Sequence, residues 1–325
     1  MPTPTHPLPV LLDVDTGTDD ALALLLALRS PRLDVRAITC VAGNHGLDQV
    51  VINTLKVLDV ADAPDIPVAA GAERPLLETM RRPSHIHGQD GMGDLGLPPS
   101  SRQPLGIHAV ELMRRTVSES PEPVTLIALA PLTNVALFLR LYPRLAERLG
   151  GLTIMGGTFA AHGNTSPTAE FNVRSDPEAA AIVLESGLPI RLYPLDVFRQ
   201  VSFSRSEIEG FTASDDPTAQ MAGRILHFWL QHTGAERALI GDAGAVATVV
   251  DPEGATVLPA PVTVALEGDV TRGQTVLDRR PVRSRANLVE WWQTSQSEVD
   301  VVTEVAVERY RRLFAEAIGA GEVLA

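Results

Sequence analysis

The sequence predicts an α/β fold: an open, mainly parallel (mixed) Rossmann-like sheet with helices on both faces and an active site at the C-terminal ends of its strands. Three observations carry this reading. Short apolar runs of the kind found in buried strands alternate with segments whose apolar residues recur at helical spacing. That alternation builds parallel strands joined by crossover helices, which cover both faces of the sheet. The first apolar run ends in a cluster of acids, and open sheets bind ligands beyond the carboxyl ends of their strands.

Leu8–Val14 is short and apolar and reads as a buried first strand, followed by a helix over Asp20–Arg29. Val35–Ala42 is a second strand. In Leu47–Val60, residues Val50, Val51, Leu55 and Leu58 fall on helical spacing. Val68–Ala70 is a third short strand and His108–Val117 a helix. Val124–Ala130 is a strand, Asn134–Leu141 a helix, Leu152–Met155 a strand, Asp176–Ser186 a helix and Ile190–Leu195 a strand. Val257–Leu266, Gly273–Leu277 and Glu298–Val302 are further strands, closed by a helix over Val305–Ile318. The long connections Met80–Gln103, Gly156–Ser175 and Gly234–Gly244 are the loops expected to carry function on such a scaffold. With no repeat, low-complexity tract or linker, residues 1–325 read as one domain, and the proline-rich residues 1–9 as a flexible start.

The composition excludes several classes. An apolar fraction of 45% over 325 residues supplies ample core material. With 27 basic and 40 acidic residues the formal charge is −13, which argues against a basic face for nucleic acid or an anionic membrane. A single cysteine, Cys40, leaves no internal disulfide and no cysteine-based zinc site. The N-terminus lacks the basic and apolar regions of a signal peptide, and runs such as Ala21–Leu28 are too short to span a bilayer. The expectation is an acidic cytoplasmic protein with neither nucleic-acid nor membrane partners.

The most informative segment is Leu11-Leu12-Asp13-Val14-Asp15-Thr16-Gly17-Thr18-Asp19-Asp20, which places four carboxylates within eight residues where a strand turns into a helix. Helix capping accounts for one or two of these acids. It does not account for Asp13 and Asp15 at the strand's end, where like charges raise each other's pKa unless a cation neutralises them. Hard oxygen ligands suit Ca²⁺ or Mg²⁺ rather than zinc. The spacing fails for an EF-hand, and the Gly-Lys-Ser/Thr ending of a phosphate-binding P-loop is absent. An Asp-x-Asp-x-Thr phosphatase start is weakened because its fifth position is Gly17.

Asp-Val-Asp-Thr-Gly-Thr-Asp-Asp-Ala resembles the signature of the nucleoside hydrolases, the inosine-uridine preferring group of Ca²⁺-dependent ribonucleoside N-glycosidases. The similarity continues through Ala42-Gly43-Asn44, Ile86-His87-Gly88, Ala130-Pro131-Leu132-Thr133-Asn134 and Met155-Gly156-Gly157. It extends to Ala169-Glu170-Phe171-Asn172, Asp176-Pro177-Glu178-Ala179-Ala180 and Asp242-Ala243. These stretches keep their order over residues 11 to about 250.

The resemblance implies hydrolysis of a ribonucleoside to free base and ribose. It implies a Ca²⁺ held by Asp15, Asp20, Asp242 and the backbone carbonyl of Leu129, with Asp15 activating a cation-bound water. Three carboxylates and a carbonyl leave room in a six- to eight-coordinate shell for water and a diol. Asp19 and Asn44 would hold the ribose diol and the water, and Asp13 would support the metal site from behind. Met155, Asn164, Glu170 and Asn172 would hold the far side of the sugar, with Arg174 a salt-bridge partner for Glu170. A homodimer or homotetramer is also implied.

The chain departs from the family pattern at one position. Many members carry a histidine before the residue equivalent to Asp242, placed to activate the leaving base, and here that residue is Gly241. His87 is the expected base-side contact, with His85, His232 and Arg237 as other candidates and Glu236 as a simple partner for Arg237. Phe228 with Trp229, and Trp291 with Trp292, read as core pairs. Intact sugar-side residues beside an altered leaving-group position predict retained ribose specificity with a changed base preference. The alternatives are a hydrolase of a modified nucleoside or other N-ribosyl compound, and a non-catalytic Ca²⁺-dependent ribose- or nucleoside-binding protein.

Overall fold

The computed structural model describes residues 6–79, 86–280 and 297–324. The strands are β1 (Leu8–Val14), β2 (Leu33–Cys40), β3 (Val68–Ala70), β4 (Thr125–Ala128), β5 (Gly151–Met155) and β6 (Ile190–Tyr193). They are followed by β7 (Ser202–Ser204), β8 (Arg237–Leu239), β9 (Ala255–Val264), β10 (Thr275–Leu277) and β11 (Glu298–Val305). Nine of them form one sheet in the order β10-β9-β11-β6-β5-β4-β1-β2-β3, while β7 and β8 pair separately. From β3 to β11 the neighbours are parallel; β9 runs antiparallel to both β11 and β10. The predicted mixed, mostly parallel α/β sheet is what forms.

The order places the site. The chain leaves β1 toward β2 and β3, then returns to add β4 on the other side of β1. Asp13 therefore has Thr39 of β2 on one flank and Ala128 of β4 on the other. A crevice opens where the order reverses, beyond the carboxyl ends of β1 and β4. Side-chain alternation along β1 sends Val10, Leu12 and Val14 into one apolar cluster and Leu11 into the cluster on the opposite face. The helix Thr18–Arg29 follows directly and is buried throughout Ala21–Ala27. It packs against β2 and the helices Leu47–Val60, Pro217–Thr233 and Ala243–Val250, which is why it is apolar all round rather than striped.

Leu8–Val14, Leu47–Val60 and Val68–Ala70 form as predicted, and most other elements differ by a residue or two at their ends. His108 and Asp176 lie just outside their helices as caps, accepting from the Val110 and Ala179 amides. Two expected loops are partly ordered: Gly156–Ser175 ends in the helix Phe171–Ser175, and Gly234–Gly244 contains β8 and the start of Ala243–Val250. The helices Arg205–Ala213 and Pro217–Thr233 were not among the predicted elements. The latter carries readable signals: Asp216 accepts from the Thr218 amide, Pro217 opens the first turn, and Gly234 closes the helix at φ 67°. His85, Trp291 and Trp292 lie outside the described residues. Among the described residues no helix is long and apolar enough to cross a membrane.

Candidate active site

The corner after β1 is built so that carboxylates face inward with few protein partners. Asp13, Asp15 and Asp20 are fully buried and Asp242, at the start of Ala243–Val250, is 2% exposed. Asp13 Oδ1 accepts from Thr39 Oγ1 at 2.7 Å and Asn134 Nδ2 at 2.9 Å. Asp15 Oδ2 accepts from the Asn44 amide at 2.6 Å. That short approach needs Gly43, where a Cβ would sit 2.0 Å from Asp15 Oδ2. Asp20 receives the Asp15 and Gly17 amides and, at 3.1 Å, Asn44 Nδ2. Oxygens of Asp19, Asp20 and Asp242 converge to within 4.8 Å of one another.

This corner is electrostatically incomplete. Asp13 Oδ2, Asp15 Oδ1 and Asp19 Oδ1 are buried without a hydrogen-bond partner among the described residues. Burial pushes Asp13 up to about 7, and burial followed by the neighbouring Asp19 carboxylate does the same to Asp20. Burial and then the surrounding carboxylates raise Asp15 and Asp242 well above the usual range. Buried acids massed this way need a compensating positive charge, and the donor set, all hard oxygen, fits a divalent cation such as Ca²⁺ or Mg²⁺.

The Leu129 carbonyl follows β4 and is held on both sides: its amide donates to Asp13 O at 2.9 Å, and its oxygen accepts from Asn172 Nδ2 at 2.8 Å. Asn172 Nδ2 also reaches Met155 O and Sδ. Glu170 is buried as the cap of Phe171–Ser175, accepting the Asn172, Val173 and Gly157 amides at 2.7, 3.0 and 3.1 Å. Burial, only partly offset by those amides, raises it to about 7. The expected pairing of Glu170 with Arg174 does not form. Arg174 instead donates to Glu78, which also binds Arg272, so the capping amides answer the Glu170 carboxylate. Asn164 is exposed at the rim, its Oδ1 holding the Phe171 amide at 2.8 Å.

A cavity of about 610 Å³ adjoins this corner, with Asp19, Asn44, Leu129, Asp242, Met155 and Glu170 at its polar end, while Asp13, Asp15 and Asp20 are not part of its lining. The remainder of its wall includes Ile86, His87, Phe198, Trp229 and Leu239. His87 Nδ1 lies 2.7 Å from Thr18 Oγ1, which accepts from Trp229 Nε1 at 3.0 Å. Trp229, expected in the core with Phe228, is half-buried and lines the cavity, so helical spacing alone misplaced it. His232 stacks on Phe228 behind it. Arg237 reaches the rim but donates to Ser202 and pairs with Glu207 rather than Glu236.

Gly241 adopts φ 57°, and a Cβ there would meet Asp19 Cβ at 2.7 Å and the Phe198 ring at 3.0 Å. No side chain fits this backbone without displacement, and Phe198, which the sequence reading did not single out, fills the adjoining wall.

The chain matches the inosine-uridine preferring nucleoside hydrolase description over residues 10–312. It belongs to that family. A pyrimidine-specific ribonucleoside hydrolase of Citrobacter koseri is 41% identical over 276 residues, covering 83% of this chain and 88% of that protein. A plant nucleoside hydrolase superposes with a TM-score of 0.90 at 31% identity, covering 97% of this chain and 99% of the other. A purine-preferring ribonucleoside hydrolase from Gardnerella vaginalis superposes with a TM-score of 0.87 at 29% identity over 98% of this chain and all 100% of the other. Nucleoside hydrolases similar to this chain thus carry names with opposite base preferences. Its motifs meet in space as their order implied: Asn134 ties Asp13 to Cys40 O and the Ala72 amide, and Thr133 donates to Asp176 at 2.6 Å. The sequence marks Asn134 only as the opening of a helix; its buried amide, a brace behind Asp13, follows from no local pattern.

Proposed function

We propose that the chain, as one domain over residues 1–325, hydrolyses the N-glycosidic bond of a ribonucleoside to free base and ribose. Asp15, Asp20, Asp242 and the Leu129 carbonyl would hold a Ca²⁺. The single observation that supports the reading is the cluster of buried carboxylates with partnerless oxygens on Asp13, Asp15 and Asp19, of which Asp19 lines a cavity large enough for a nucleoside. When bound, the cation supplies charge compensation and lowers the pKa of a water in its shell.

The protein residues then divide the work. Asp15 Oδ1 has no hydrogen-bond partner among the described residues and takes one proton from the attacking water, whose oxygen adds to the anomeric carbon as the bond to the base nitrogen breaks; the bonding electrons leave with the base, which takes up its proton from solvent. Asp19 and Asn44 bind the ribose diol, which fixes the anomeric carbon relative to Asp15. Asn164, Glu170, Asn172 and Met155 hold the opposite side, where carboxylate and amide dipoles favour the positive charge that develops on the sugar. His87 contacts the departing base. A second reading, a nucleoside with a modified base or another N-ribosyl compound, is favoured by Gly241 and the Phe198 ring beside it.

Ribose release from a panel of purine and pyrimidine ribonucleosides tests the reading, with Ca²⁺ or a chelator added. Release from at least one nucleoside, lost on chelation and lost in a folded Asp15→Asn variant, is expected. A folded, Ca²⁺-binding wild-type protein that releases no ribose from any of them would sink it in favour of a binding role.

A further inference from the structure

Trp229, Thr18 and His87 form a directed hydrogen-bond chain on the cavity wall. An indole N–H can only donate, so at 3.0 Å Thr18 Oγ1 is the acceptor toward Trp229 Nε1. The hydroxyl keeps its own proton, and 2.7 Å away lies His87 Nδ1. The Thr18 amide, at the first position of its helix and so without an intrahelical acceptor, points at the same nitrogen from 3.4 Å. Two donors therefore converge on Nδ1. A proton on Nδ1 would face the amide N–H and leave the Thr18 hydroxyl proton without an acceptor among the described residues.

We propose that Thr18 and Trp229 are positioning residues that hold His87 as the neutral tautomer protonated on Nε2, so that the imidazole offers a hydrogen-bond donor to an acceptor atom of the base. The ligand in this statement rests on the ribonucleoside reading, whereas the tautomer is a property of the protein itself. Trp229 also meets His87 edge to face, with ring centroids 5.7 Å apart, which fixes the imidazole plane. The charged and titratable groups facing the ring are Asp19 and His232. Asp19 Oδ1 is 3.8 Å from Nδ1, beyond hydrogen-bond reach, so it does not compete with Thr18 for that nitrogen. Burial holds the imidazole pKa below its ordinary value, in keeping with a neutral ring.

The consequence is a rule for the substrate. The group that meets His87 must accept a hydrogen bond, as a carbonyl oxygen or an unprotonated ring nitrogen does; an amino group there would meet a donor with a donor.

Proton–nitrogen correlation spectra of ¹⁵N-histidine-labelled, Ca²⁺-loaded protein at neutral pH read the tautomer directly, with the His87 signals assigned by their loss in His87→Gln. The expected pattern is an unprotonated Nδ1 and a protonated Nε2. Thr18→Val should give a mixture of tautomers, Thr18→Ser should restore the single form, and Trp229→Phe should weaken the bias while keeping a ring in place. Loss of one neutral hydrogen bond predicts a roughly 3- to 10-fold fall in kcat/KM for uridine or inosine in Thr18→Val, rescued in Thr18→Ser. A wild-type His87 protonated on Nδ1, or on both nitrogens, overturns the proposal. So does a tautomer unchanged in both Thr18→Val and Trp229→Phe; if Thr18→Val does not fold, Trp229→Phe alone decides. An Nε2-protonated His87 that depends on Thr18, in a protein releasing no ribose, would keep the tautomer and remove the hydrolase reading.

Discussion

The two ends of the cavity are built on different principles. At the carboxylate end, polar side chains cross-brace one another: Asn44 spans Asp15 and Asp20, Asn134 spans Asp13 and Cys40 O, and Asn172 spans Leu129 O and Met155. The aromatic end has ring faces and edges from Phe198, Trp229 and His87, with the Trp229–Thr18–His87 chain as its polar element. A dense polar network tolerates little change, because each buried partner left alone costs desolvation energy. A wall of rings can be reshaped one residue at a time. On the proposed function, the reaction would belong to the first region and the choice of base to the second; similar hydrolases are named for pyrimidine and for purine preference.

The largest effect is expected at Asp15. Asp15→Asn should lower kcat by about 10²- to 10⁴-fold, the usual worth of a general base, for every base tested. Steady-state ribose release checks this, and a loss confined to one base would move Asp15 out of the shared chemistry. Next is Asn134→Ala, which removes the brace behind Asp13 without touching the cavity. It should weaken Ca²⁺ binding by about 10- to 100-fold in calorimetric titration, and unchanged affinity would make Asn134 a folding residue only.

How much of this was legible in the sequence differs between the same two regions. Asp13, Asp15, Asp19 and Asp20 are readable because they fall within eight residues at one strand–helix corner, and β1 and its following helix are local structures with strong patterns. Leu129 and Asp242 came only through the resemblance, since their proximity to that corner is set by strand order. The Asn134 brace depends on β1 lying between β2 and β4, which no local pattern reports. At the aromatic end, Trp229 on a helix of mixed polarity looks the same whether its face meets core or cavity. The role of Gly241 rests on a positive φ and on the Phe198 ring from another element, both invisible until the chain is folded.

The aromatic end yields the smaller predictions. Gly241→His puts back the side chain that many family members carry, yet φ 57° and the 2.7 Å approach to Asp19 predict harm. A strain of about 1–2 kcal/mol corresponds to a roughly 10-fold lower kcat/KM, and Phe198→Ala in the same chain should recover part of it. Improved activity in the single variant would show that Gly241 is a simple vacancy. The smallest effect is expected for Trp229→Ala: a KM higher by about 5-fold, the worth of one aromatic contact, with a change in the ratio between bases. An equal change for all bases would place Trp229 outside base selection.

The division of labour is tested most directly by comparing kcat/KM for matched ribonucleosides and 2′-deoxyribonucleosides across several bases, with Ca²⁺ present. Removing the 2′-hydroxyl should cost more than about 10²-fold for every base, because the lost contact is assigned to the carboxylate end, while exchanging the base should cost less and vary from one to the next. Comparable hydrolysis of ribo- and deoxyribonucleosides would contradict it.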